Sequence, residues 1–269
     1  MKAIFLSDAH LKDSRSPGYR ALMAFLSRLR FEGGDESVTS SGAGAGKETK
    51  GEVINGPSLP VTDLFLVGDI FDFWFSRKGR IYPDFGELIA RLRDLKAQGV
   101  AVHLCEGNHD FFLKEYFNDM LKMTVYEDIA VIERDGRRLF VAHGDLIDQT
   151  NVQYLRLRKF LRSPFIYYLQ RILPLTLLWG IARWSSSMSK EIMGGAEDKI
   201  ARAMGRFAQD RFIDGYDAVI LGHCHRPGLE ETTIDGKPRI FVTLGDWLRH
   251  HTYLYYNEGR FELGRQKME

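Results

Sequence analysis

The sequence predicts an α/β fold in which two mixed sheets pack against each other with helices outside. Three observations carry that expectation. Short apolar runs, AIFLS, DLFLV, LFVA and AVIL, read as buried strands and end at polar motifs, as strands of α/β proteins do when their carboxyl ends deliver functional groups. Early in the chain these runs alternate with helical periodicity. Later, Asp135-Gly136 and Asp235-Gly236 stand beside apolar runs, the signature of antiparallel hairpins.

Taken in order, a strand over Lys2–Ser7 is followed by a helix that Pro17 opens, with Leu22, Phe25, Leu26 and Leu29 on one face. Residues 33–60 then begin GGDESVTSSGAGAGKETKGE, without an aromatic side chain. Such a segment cannot bury enough apolar surface to order itself and is expected to be a disordered insertion loop. A strand from Asp63 leads to Asp69, a helix covers Phe85–Ala97, and a strand over Val100–Cys105 leads to Asn108. Ile129–Glu133 and Arg138–Ala142 form the first hairpin. Asp217–Leu221 leads to the last histidines, and strands at Ile240–Leu244 and Thr252–Tyr256 close the chain.

Five polar motifs follow these runs: Asp8-Ala9-His10, Gly68-Asp69-Ile70-Phe71-Asp72, Gly107-Asn108-His109-Asp110, His143-Gly144-Asp145 and Gly222-His223-Cys224-His225. Aspartate, asparagine and histidine together suit manganese, iron or zinc better than calcium, which prefers oxygen throughout. Two such ions roughly 3.5–4 Å apart can clamp a phosphoryl group and deliver hydroxide at neutral pH. A carboxylate is the natural bridge, and Asp69 is the best placed to serve as one. Because the motifs run from Asp8 to His225, one site needs nearly all 269 residues, which implies a single domain over 1–269.

In this order the motifs resemble those of the calcineurin-like metallophosphoesterases, a resemblance that implies a four-layer αββα sandwich. On that pattern one ion takes Asp8, His10, Asp69 and His225, and the second takes Asp69, Asn108, His143 and His223. His109 is the outer histidine over the leaving-group oxygen, oriented by Asp72. The cofactors implied are two divalent ions, manganese first, iron or zinc next. A non-catalytic scaffold on this fold would have lost ligands, and none is missing here.

Composition sets further bounds. With 44% hydrophobic and 27% charged residues, the chain can build a packed core and a soluble surface. A formal net charge of +1 gives no global pull toward nucleic acid. The run before Asp8 is too short for a signal-peptide core, and no apolar stretch reaches the roughly 20 residues of a membrane span. Cys105 and Cys224 are the only cysteines, which suggests no disulfide framework. Cys224 is expected to fill space, its side chain pointing away from the flanking histidines. A cytoplasmic protein is expected.

Residues 150–212 read as a helical insertion. Its centre, LRSPFIYYLQRILPLTLLWGIARWSSSMSK, is the most apolar part of the chain and has no acidic residue. Pro164 and Pro174 break it into short helices. It is either a lobe folded onto the sandwich or an interfacial, lid-forming segment rich in Trp, Leu and Arg. The second alternative predicts an amphiphilic substrate. The basic residues cluster around this one segment instead of forming the extended stripe that nucleic acid requires.

A closer resemblance is to the UDP-2,3-diacylglucosamine hydrolase family, through SDAHL at Ser7–Leu11, GDIFDFW at Gly68–Trp74, Asn151–Arg158, SKEIM at Ser189–Met193, GHCHRP at Gly222–Pro227 and LGDW at Leu244–Trp247. It implies hydrolysis of a lipid-linked nucleotide diphosphate to UMP and a lipid phosphate, with a helical lid for acyl chains. Asn151, Tyr154 and Arg158 would approach phosphate and sugar, Lys190 the diphosphate, and Asn108, His109 and His223 would also touch substrate. The protein would act peripherally at the cytoplasmic face of the inner membrane, with no protein partner evident. One departure is that His109 stands where this family carries arginine. A phosphodiesterase or phosphatase for soluble substrates is the alternative.

Overall fold

A computed structural model describes residues 1–32, 58–180 and 197–267. Its elements are β1 (Lys2–Leu6), α1 (Pro17–Ser27), β2 (Leu29–Phe31), β3 (Leu59–Val61), β4 (Asp63–Val67), α2 (Gly86–Ala97), β5 (Ala101–Cys105), β6 (Thr124–Tyr126), β7 (Ile129–Arg134), β8 (Arg137–Ala142), α3 (Val152–Leu161), α4 (Pro164–Ile172), α5 (Glu197–Ile213), β9 (Ala218–Leu221), β10 (Pro227–Ile234), β11 (Lys237–Leu244), β12 (Thr252–Asn257) and β13 (Arg260–Arg265).

The strands form a six-stranded sheet, ordered β13-β12-β1-β4-β5-β6, and a five-stranded sheet, ordered β10-β11-β9-β8-β7. Both are mixed: β1, β4, β5 and β6 run parallel, while β12 and β13 close the edge antiparallel. The period-2 alternation of strands explains the layering. Ala3, Phe5, Phe65 and Val67 point toward the second sheet, where Leu139, Val141, Ala218 and Ile220 meet them. Ile4, Leu6, Leu64 and Leu66 point the other way, onto Leu22, Phe25 and Leu26 of α1 and Leu88 and Leu92 of α2. On the far face of the second sheet, Phe140, Val219 and Leu221 receive Met204, Ala208 and Phe212 of α5. The result is the four-layer αββα sandwich, and strands covered on both faces account for the uninterrupted apolar runs.

Boundaries differ from the sequence-based expectation in three places. Helix α1, capped by Ser16 through the Tyr19 amide, ends at Ser27, so Leu29 is buried from strand β2 instead of from a helical face. The expected insertion is entered by β3, which takes Leu59 and Pro60 and pairs in parallel with β2; residues 33–57 lie outside the described residues. Within 150–212, α5 serves as the outer layer of the second sheet, so among the described residues α3, α4 and the helical turn at 175–180 are what remain of the expected insertion.

That remaining part is divided. Leu175 and Leu178 are buried, and Trp179 packs against the first sheet's helical core with its ring 5.4 Å from that of Tyr82. Phe165, Tyr168 and Ile172, at helical spacing along α4, are exposed, as are Leu157 and Phe160 on α3. The inward packing expected of a folded lobe therefore holds for Leu175, Leu178 and Trp179, while the α4 stripe lies open on the surface.

Candidate metal centre

All nine residues expected at the metals and over the leaving group sit in loops at the carboxyl ends of strands. Asp8 and His10 follow β1, Asp69 and Asp72 follow β4, and Asn108 and His109 follow β5; His143 follows β8, and His223 and His225 follow β9. The first six come from one sheet and the last three from the other. Five of them have left-handed backbones, with φ of 53° at Asp8, 42° at His10, 51° at Asp69, 65° at His223 and 53° at His225. That conformation is uncommon outside glycine and concentrates at functional sites. Here the amides of Asp8 and His10 donate to the carbonyls of Gly68 and Asp69 at 3.1 and 2.9 Å, locking the first two loops together. Two glycines allow the remaining loops to approach. A Cβ on Gly107 would fall 2.1 Å from Asp69 Oδ1, and one on Gly222 would fall 2.8 Å from Asp8 Oδ2.

The side chains converge on two buried carboxylates. His225 Nε2 lies 3.2 Å from Asp8 Oδ1, and His10 Nε2 lies 3.9 Å from Asp8 and 3.8 Å from Asp69. His143 Nε2 lies 3.4 Å from Asp8 and 3.7 Å from Asp69. The His223 ring stands 5.0 Å from that of His143, and the His223 amide donates to Asp8 Oδ2 at 2.8 Å. Asp8, His10 and His225 can share one cation, and Asp8, Asp69 and His143 another.

Four features fit cations at this position. His10 Nε2 and Asn108 Oδ1 are buried polar atoms with no hydrogen-bond partner, a costly arrangement unless something else satisfies them. Burial works to raise Asp8, yet its contacts with His143 and His225 hold the carboxyl well below the usual range. Burial works to lower His143, yet Asp69, Asp145 and Asp8 raise its proton affinity well above normal; these carboxylates would hold a divalent cation in the proton's place. Burial, with His143 alongside, pushes His223 down to about 4, leaving it neutral at pH 7, the form that ligates.

His109 stands at the edge of this cage, its ring 4.8 Å from and perpendicular to that of His10. Its amide donates to Asp69 Oδ1 at 2.8 Å, and Nδ1 lies 3.2 Å from the main-chain carbonyl of Asp72. The Asp72 carboxylate instead faces His10 Nδ1 at 3.6 Å and Lys12 Nζ at 3.9 Å.

Among the residues expected at substrate, Asn151 caps α3 by accepting from the Tyr154 amide. The Tyr154 hydroxyl and Arg158 Nε both donate to Asp145 Oδ2, at 2.7 and 2.8 Å. Lys190 lies outside the described residues. Cys224 is buried in the core under the second sheet, facing away from the cage, and it and Cys105 are free thiols.

Two carboxylates in the motifs have roles that motif reading did not assign. Asp110 accepts from the amides of Asp69, Ile70, Phe71 and Gly107 and so fastens the β4 and β5 loops together. Asp145 lies 3.4 Å from His143 Nδ1. Each is the last residue of its motif, which is the signal that could have found it.

The chain is 30% identical over 220 residues to a UDP-2,3-diacylglucosamine hydrolase of Pseudomonas entomophila (strain L48), covering 79% of this chain and 88% of that one. It is 27% identical over 273 residues to the protein of that name from Ectopseudomonas mendocina (strain ymp), covering 97% and 98%. A solved archaeal phosphodiesterase aligns at a TM-score of 0.42 and 16% identity over 98% of this chain and 99% of that one. Residues 1–227 match the family described as Calcineurin-like phosphoesterase. The family implies divalent metal ions, for which the buried carboxylates and histidines form candidate binding groups, and the chain belongs to it as a hydrolase.

Proposed function

We propose that this hydrolase cleaves the diphosphate of a lipid-linked nucleotide, UDP-2,3-diacylglucosamine, to UMP and 2,3-diacylglucosamine 1-phosphate. The observation that carries the reading is one cavity of about 140 Å³ lined by the polar Asn108, Tyr154, Arg158 and Arg162 together with the apolar Phe111, Leu157 and Leu161. It joins a phosphoryl-handling residue to an apolar wall. The exposed Phe165, Tyr168 and Ile172 of α4 extend that apolar character outward. The relatives' name supports the same substrate. No helix among the described residues is long and apolar enough to cross a membrane. The exposed α4 stripe supports peripheral action at the cytoplasmic membrane face, where such a substrate resides.

Asp8, His10, Asp69 and His225 would hold one ion and Asp69, Asn108, His143 and His223 a second, with manganese the favoured metal. When bound, the ions would supply Lewis acidity toward the phosphoryl oxygens and lower the pKa of water. As water oxygen bonds to phosphorus and the bridging P–O bond breaks, His109 Nε2 faces the departing oxygen and supplies a proton or positive charge. The Asp72 carbonyl, accepting from Nδ1–H, keeps the ring in that orientation.

The test is purified protein with manganese and UDP-2,3-diacylglucosamine, with UMP release followed against a small chromogenic phosphodiester. Preference for the lipid nucleotide is expected. A phosphodiesterase for soluble substrates is the second reading, favoured by His109 in place of arginine; turnover of the small diester with none of the lipid nucleotide would establish it.

A further inference from the structure

Helix α3 buries none of its side chains, and Val152, Leu157 and Phe160 face solvent. A helix with so little apolar contact needs another reason to stay in place. It has one in three polar side chains on its inner face. The Tyr154 hydroxyl and Arg158 Nε reach the two-coordinated Asp145 carboxylate, whose other oxygen lies beside His143 Nδ1. Arg158 also donates to Asp128 at 2.8 Å. One turn later, Arg162 donates to Glu106 Oε2 at 2.5 Å and to the Gly107 carbonyl at 2.7 Å. Glu106 is buried, and its second oxygen accepts from the Leu113 amide at 2.9 Å. The Arg162 guanidinium also lies over the Phe111 ring, 5.2 Å from its centroid. Asn108, with its orphaned oxygen, follows Gly107 directly.

We propose that α3 is a clamp on one metal position: Tyr154 and Arg158, through Asp145, and Arg162, through Glu106 and Gly107, position His143 and Asn108. Docking of α3 and occupancy of that metal position then favour each other. The proposal rests on assigning Asn108 and His143 to a common ion. It makes Tyr154 and Arg158 positioning residues instead of substrate contacts. Partners that orient a ligand from behind are worth about 10–100-fold in metal affinity. Because coupling between two binding events is reciprocal, the ion must stabilise the docked helix as much as the helix favours the ion. Asp8, His10 and His225, at the other position, make no hydrogen bond or ion pair with α3 among the described residues, so that position should be spared.

The experiment is titration of the full chain with Mn2+ alone, comparing wild type with Tyr154→Phe, Arg158→Ala and Arg162→Ala. Tyr154→Phe removes one hydroxyl, and Arg162→Lys keeps the charge, so these two decide the matter if an alanine variant fails to fold. Expected is one unchanged Mn2+ affinity and one weakened by about 10–100-fold, with turnover low at limiting Mn2+ and restored at saturating Mn2+. Hydrogen exchange at the α3 amides of the wild type should slow when Mn2+ is added. Unchanged Mn2+ affinities with a raised KM at saturating Mn2+ would overturn the proposal and return Tyr154 and Arg158 to the substrate. Equal α3 exchange with and without Mn2+ would overturn the coupling, and a wild type that binds one ion would remove its basis. A wild type that binds two ions yet leaves UDP-2,3-diacylglucosamine intact would end the substrate assignment and leave the clamp standing.

Discussion

At the scale of single residues, the cage stands on carboxylates that no neighbour can replace. Asp69 lies within 4 Å of both His10 and His143, and its other oxygen holds the His109 amide. Asp69→Ala should therefore abolish turnover and remove both ions, read by metal analysis of the purified variant; full activity with two ions retained would contradict the assignment. His109→Ala should leave metal content intact and lower turnover by about 10²–10⁴ on a substrate whose leaving oxygen needs a proton. The loss should be smaller for a diphosphate, because a departing phosphate, with a second pKa near about 6, carries its own charge well at neutral pH. Rates on an alkyl phosphodiester and on the lipid nucleotide would check this, and loss of an ion instead would make His109 a ligand. The nine motif residues do meet in one place, because they sit in loops that follow five strands whose apolar runs are visible in the chain. The supporting contacts were less legible: Asp110 fastening the Asp69 loop 41 residues away, and Arg162 reaching Glu106 from 56 residues away. Such pairs depend on how loops of different strands are brought together, which local pattern does not record.

At the scale of elements, the apolar stretch after Pro164 could not be assigned from composition because it does two things. Leucines at 175 and 178 and Trp179 turn inward, while Phe165 and Ile172 of α4 remain 63% and 79% exposed. Phe165→Ser with Ile172→Ser should leave the melting temperature unchanged and raise the apparent KM for the lipid nucleotide alone, each lost acyl methylene contact weighing about 0.8 kcal/mol. Leu178→Ser should do the reverse, destabilising the fold by about 2 kcal/mol or more, as large-to-small core changes do. Thermal melts beside kinetics on a lipid and a small substrate separate the two. An equal loss on both substrates in a folded Phe165/Ile172 variant would reject the lipid-facing reading of α4. The strand entering the expected insertion was missed because a three-residue β3 carrying Pro60 has little pattern of its own and is set by pairing with β2. Deleting 33–51 would leave Glu32 and residues 52–58 between those strands. Eight residues reach at most roughly 3.3–3.6 Å each, ample for the short return that parallel pairing of Leu29 with Leu59 demands. Folding and turnover should survive the deletion, as melting and activity measurements would show.

At the scale of the whole molecule, the proposed ligands are divided between the two sheets. Asp8, His10, Asp69 and Asn108 hang from the six-stranded sheet, and His143, His223 and His225 from the five-stranded one. Between the sheets the contact is apolar, Phe5 and Phe65 against Val141 and Ile220. At the carboxyl edge it changes to a buried carboxylate of one sheet facing histidines of the other, His143 and His225 lying 3.4 and 3.2 Å from Asp8. A cation seated there would join the sheets where their packing gives way to charge. Binding of that kind stabilises the native state by RT ln(1 + [L]/Kd), about 2.7 kcal/mol at a hundredfold excess over Kd. For a domain of this size that corresponds to several degrees, at about 2–4 °C for each kcal/mol. Manganese should therefore raise the melting temperature, EDTA should lower it, and both sheets should respond as one cooperative transition. Asp69→Ala should melt at one temperature with or without manganese, because it lacks the group that faces both sets of ligands. If wild type were equally indifferent to manganese, the carboxylates and histidines would be bound to each other as ion pairs, and the edge would join the sheets without metal.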